Sequence, residues 1–98
     1  MLRLKATKTS LYKLVAAYEA LPGIHKTEFI KAPRRPDYWL KWHGSEADCF
    51  YKAFFATTLG RPLLAITVED WDGHEISRRL HTLTIEDLRE RGMLEERS

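Results

Sequence analysis

Three side chains at alternate positions, Trp39, Lys41 and His43, put an indole, an ammonium and an imidazole along one side of a short extended stretch. Positive charge attracts phosphate and an indole can stack on a base, which is how single-stranded nucleic acid is often held. Arg34 and Arg35 stand between Pro33 and Pro36. They form a stiff basic tip whose guanidinium forks match phosphate oxygens. Arg3 and Lys5 alternate with apolar residues near the start of the chain, and Arg79 follows in its last third. The expected binding set is therefore Arg3, Lys5, Arg34, Arg35, Trp39, Lys41, His43 and Arg79. Each feature has a plainer counterpart. Two solvated arginines in a loop are common, and Trp39 can equally lie under a helix, a second sheet or a second copy of the chain.

Other reactive groups form weaker patterns. Glu69, Asp70, Asp72, His74 and Glu75 crowd one hairpin end. A calcium loop of the helix–loop–helix kind needs further oxygen ligands and a closing Glu, which are lacking, so a solvated acidic turn is expected. His43 and Cys49 are separated by five residues, and His25, His74 and His81 are scattered, without the close-spaced pairs a zinc site uses. Cys49 lies beside an apolar stripe and reads as an inert thiol. The chain has no glycine-rich phosphate loop and no nucleophile elbow. No catalytic residue, metal or cofactor is called for.

The 98 residues are enough for one domain with a real core and no disulfide, and 44% hydrophobic with 31% charged residues is a globular composition. One cysteine cannot form an internal bridge, and no apolar run approaches the roughly 20 residues of a membrane helix. The strict alternation Met1-Leu2-Arg3-Leu4-Lys5 is unlike a signal peptide. A cytoplasmic protein without a membrane partner is expected. Net charge is +2 but uneven: through Val68 there are 11 Lys/Arg against 5 Asp/Glu, and from Glu69 onward 5 against 9. The chain has no Asn and no Gln. Proteins from hot environments tend to lose these residues, so a thermostable domain is expected.

The positioning elements follow from periodicity. Leu2, Leu4 and Ala6 alternate as a first strand, and Thr9 or Ser10 can cap a helix whose face is Leu11, Leu14, Val15 and Tyr18. Lys26 to Ala32 and Asp37 to His43 form a hairpin in which Phe29 opposes Leu40, Thr27 opposes Trp42, Ile30 opposes Trp39 and Glu28 opposes Lys41. Tyr38, Leu40 and Trp42 then face the core, with Trp39, Lys41 and His43 opposite. Ser45 to Gly60 reads as a second helix with an aromatic stripe of Phe50, Tyr51, Phe54 and Phe55. Leu63 to Asp70 and His74 to Thr82 form a second hairpin. A three-residue loop with Gly73 in a left-handed bulge pairs Val68 with Ile76 and Leu64 with Leu80, leaving Arg78 as a misfit. Thr84 caps a last helix that Gly92 ends, and Glu95 to Ser98 should fray.

The order β-α-β-β-α-β-β-α implies an α+β fold: a ferredoxin-like βαββαβ core extended by a C-terminal β-hairpin strand and a short C-terminal helix. The first strand and the Asp37–His43 strand would sit side by side at the centre. That topology is shared with the common RNA-recognition module, whose glycine- and aromatic-rich strand signatures are missing here. The expected function is a small non-enzymatic binding domain that takes single-stranded RNA or DNA on its open sheet face. The alternatives are a protein-binding regulator, such as an inhibitor or adaptor, or a homodimerisation module using the same face. A small metal-dependent nuclease is the weaker alternative.

Overall fold

The structure is a computed structural model that describes residues 2–19, 24–33, 37–44, 49–58 and 61–96. The elements in chain order are β1 (Leu2–Leu4), α1 (Lys8–Tyr18), β2 (Ile24–Lys31), β3 (Tyr38–Gly44), β4 (Cys49–Thr58), β5 (Arg61–Asp70), β6 (Glu75–Thr82), α2 (Ile85–Glu90) and β7 (Leu94–Glu96). Strands β2 to β6 make an antiparallel meander in sequence order, while β1 and β7 form a separate two-stranded ribbon. The fold is mixed α+β, as expected, but the ferredoxin-like arrangement is corrected on two counts.

The first correction is the second helix. Residues 49–58 form β4, the middle strand of five. Aromatic residues and a Thr-Thr end favour a pleated surface, and an apolar run of this length fits either period. It pairs with β5 along its whole length and with β3 over Phe50 to Phe55, which satisfies its central backbone on both sides. The second correction is β1, which pairs with β7 (Leu4 opposite Leu94) and not with β3. It meets β3 through side chains instead: the buried Tyr38 hydroxyl donates to the Leu4 carbonyl at 3.2 Å. Glu95 and Glu96, expected to fray, belong to that ribbon.

One face of the sheet holds the core. Tyr38, Phe55 and Leu64 align across three strands, as do Leu40, Ala53 and Ile66. Against them pack Leu11, Leu14 and Val15 of α1, Leu88 of α2, and Leu4, Leu83 and Met93. All the buried residues of both helices belong to this cluster, so the helices cover one side of the sheet only.

Local chemistry sets the helix ends. Thr7, and not Thr9 or Ser10, caps α1: its hydroxyl accepts the Ser10 N–H at 3.1 Å while the Ser10 hydroxyl accepts the Thr7 N–H at 2.8 Å. Thr84 caps α2 as expected. At the other end Gly92 has φ +69°, the Gly92 N–H donates to Arg89 and the Met93 N–H to Leu88. This closing motif needs a left-handed residue, and it turns Met93 into the core.

The first hairpin has the expected register at Glu28–Lys41, Phe29–Leu40 and Ile30–Trp39. A bulge between His25 and Glu28 displaces Thr27 from its place opposite Trp42. In the second hairpin the three-residue loop forms, with Gly73 at φ +83° and Glu69 opposite Glu75. One residue later the register shifts, because Ile76 is an extra residue in β6. From there Val68 faces Ser77, Ile66 faces Arg79 and Ala65 faces Leu80, so the β6 side chains from Ser77 onward lie on the face opposite to the expected one. Arg78 thereby ceases to be a misfit and stands opposite Thr67 on the helix-free side.

Candidate functional site

The registers arrange the helix-free face in three rows crossing the strands. The first is apolar over five strands: Ile30, Trp39, Phe54, Ala65 and Leu80. Trp39 and Phe54 touch, with ring centroids 4.3 Å apart. Leu80 is 62% exposed. The second row is polar: Glu28, Lys41, Lys52, Thr67 and Arg78. The third is His43, Phe50, Glu69 and Glu75.

Charges on this face offset one another. Lys52 pairs with Glu69, Arg78 reaches Glu75 at 2.8 Å, and Lys41 stands opposite Glu28. Three cations meet three carboxylates, so the face has little net field to concentrate an anionic polymer. At one end Trp71, 55% exposed, closes an aromatic group with His43 and Phe50, at centroid separations of 4.9 and 4.7 Å. These rings border an open groove of about 470 Å³ with Lys41, Lys52 and Glu69. Within its lining, Trp42 Nε1 and His43 Nε2 are buried with no hydrogen-bond partner among the described residues.

The expected binding set is split by the fold. Trp39, Lys41 and His43 lie together on the helix-free face, as expected. Arg3 and Lys5 lie on or beside the β1–β7 ribbon, away from that sheet, with Arg3 opposite Glu95 and the Lys5 N–H on the Met93 carbonyl. Arg34 and Arg35 lie outside the described residues. Arg79 is on the helix side, where the Ile76 bulge turns it. Its Nε donates to Glu19 Oε1 at 2.7 Å, and His81 Nε2 lies 3.0 Å from the same oxygen. Sequence reasoning missed Phe50, Lys52 and Phe54 because it placed them on a helix. The alternation of Phe50, Lys52 and Phe54 with Tyr51, Ala53 and Phe55 was the signal that could have found them.

The Glu19 cluster ties the end of α1 to the edge strand β6. Burial pushes the Glu19 carboxyl up, but hydrogen bonds from His81 and Arg79 and their charges bring it below its ordinary value of 4.5. A carboxylate held low stabilises the fold above its unfolded pKa, and this stability is lost as pH falls through the folded value. Urea titrations from neutral to acid pH should show Glu19→Gln losing less stability on acidification than the parent. An identical acid slope would remove Glu19 as a contributor.

The acidic hairpin end also has a structural account. Asp70 Oδ1 accepts the Asp72 N–H at 2.9 Å and the His74 N–H at 2.8 Å. The His74 backbone bond is the largest influence on the Asp70 carboxyl; burial opposes it, and the Asp72 bond and the His74 charge add to it, leaving the carboxyl below its ordinary value. Asp70, Asp72 and His74 bring potential ligand atoms within 4.8 Å of one another. Asp70 is already committed to shaping the turn. No helix among the described residues is long and apolar enough to cross a membrane.

No protein-family model, curated protein or solved structure matches this chain.

Proposed function

We propose that the protein is a small binding domain that docks a protein surface on its helix-free sheet face. The observation that carries this is the apolar row from Ile30 to Leu80, which crosses all five strands on the side neither helix covers. An apolar, aromatic-rich centre beside charged groups is the anatomy of a protein interface. Leu80 is exposed and Ile30, Trp39, Phe54 and Ala65 are half-buried, and a contiguous apolar surface left uncovered on a folded chain marks such sites. The single-stranded nucleic-acid reading has Trp39 and Phe54 beside Lys41 and Lys52 in its favour. It is weakened by the carboxylates that offset those lysines and by the dispersal of Arg3, Lys5 and Arg79 to other surfaces.

A photoreactive benzophenone residue placed at Leu80 should give protein adducts that survive nuclease, and one placed at Tyr12 on α1 should not. Labelled single-stranded oligonucleotides should show no affinity that falls steeply with salt. Adducts removed by nuclease, or no adducts at all, would overturn the docking function.

A further inference from the structure

The docking face has an internal symmetry. Strand β4 is the middle strand of five. Rotation by half a turn about an axis along β4, above the face, exchanges β3 with β5 and β2 with β6. Each row is then laid on the same row of a second copy. In the apolar row this sets the large Trp39 over the partner's small Ala65, Ile30 over the partner's Leu80, and Phe54 over its own counterpart. In the second row it sets Glu28, at one edge, over the partner's Arg78, at the other. In the third it sets His43 over the partner's Glu69. Beside the axis large meets small at Trp39 and Ala65, and negative meets positive at both edges. One like-charge meeting falls on the axis, Lys52 over its counterpart, and each Lys52 is already held by Glu69 of its own chain.

Accepting the docking reading, we propose that the occupant of this face is a second copy of the chain, stacked as a two-fold sandwich about β4. Isologous contact of this kind is the commonest way in which chains associate, and it requires a self-complementary patch. Two sheets so stacked align to within about 30° and interdigitate their facing side chains. Five strands about 4.8 Å apart and three rows about 7 Å apart cover on the order of 500 Å² per copy. The total, about 1,000 Å², stands at the lower bound for a biological interface, the range of weaker associations.

Charge reversal tests the axis. Within one chain Glu28 and Arg78 lie on opposite edge strands, four strand spacings or about 19 Å apart, so neither can compensate a change in the other. Between copies they meet. Sedimentation from micromolar to near-millimolar concentration should show a dimer, with far-ultraviolet circular dichroism confirming that each variant is folded. Glu28→Arg alone and Arg78→Glu alone should each weaken the dimer about tenfold, and the double variant should recover most of that loss. A monomer at every concentration overturns the proposal, and so does a double variant no better than the worse single one. A monomer that still forms nuclease-resistant adducts with other proteins from Leu80 overturns only the self-pairing. Nuclease-sensitive adducts overturn the docking function as well.

Discussion

Trp42→Ala is expected to lower the unfolding free energy by about 3–5 kcal/mol, the cost of truncating a large buried aromatic. Trp42 is 2% exposed, belongs to the core cluster and stacks on Tyr51 at a centroid separation of 5.4 Å. Trp39 is three residues away but on the other face, where its ring contact is Phe54. Trp39→Ala should therefore cost clearly less than Trp42→Ala, because its ring is only half-buried and the pair with Phe54 adds about 0.5–1.5 kcal/mol beyond the area it covers. Urea denaturation of the two variants decides the point. Equal losses would mean that the helix-free face is as buried as the core, and the docking surface would disappear with that result.

Phe54→Asp should have the larger effect on association. Phe54 occupies the symmetry axis in the proposed pair, so one substitution brings two carboxylates face to face in a desolvated centre. Self-association should weaken by at least about a hundredfold, because like charges in such a position cost several kcal/mol. Sedimentation velocity measures the loss. The same substitution forfeits the contact with Trp39, about 1 kcal/mol of stability, and leaves the core untouched. A Phe54→Asp protein that still dimerises would place the contact elsewhere.

The fold was legible where a single local rule decided the outcome. The alternation of Tyr38, Leu40 and Trp42 with Trp39, Lys41 and His43 assigned both faces of β3 correctly, because its two sides differ in polarity. Thr84 and Gly92 marked the ends of α2 because capping is local chemistry. Strand β4 was not legible in the same way. Its aromatic residues point to both faces, so the run matches a helical stripe as well as a strand, and only pairing with β3 and β5 decides between them.

The bulge at Ile76 shows a different limit. The Trp71-Asp72-Gly73 loop was readable from Gly73, but a single extra residue beyond it reverses the strand from Ser77 onward. The reward for that reversal is tertiary. Arg79 and His81 reach Glu19, sixty residues away and more, which no local pattern reveals. The binding set dispersed for the same reason: Arg79 changed faces with the register, and Arg3 and Lys5 left the sheet with β1. What survived, Trp39 with Lys41 and His43, lay on one strand whose register was correctly read.

The β1–β7 ribbon bears on the order in which the molecule assembles. Every pairing in the meander joins strands adjacent in sequence, whereas the ribbon joins Leu2 to Glu96 and Leu4 to Leu94. Contacts between neighbours in the chain form early, and closing a loop of such length comes at a greater entropic cost. The sheet can therefore be in place before its lid. Docking of the ribbon then carries in Leu4 and Met93 and joins Tyr38 to the Leu4 carbonyl. Until that late step the part of the core side that Leu4 and Met93 cover is open, beside the helices that pack on the same side. In the proposed pairing, completion of the ribbon closes this second apolar surface and leaves the helix-free face as the one a second copy can meet.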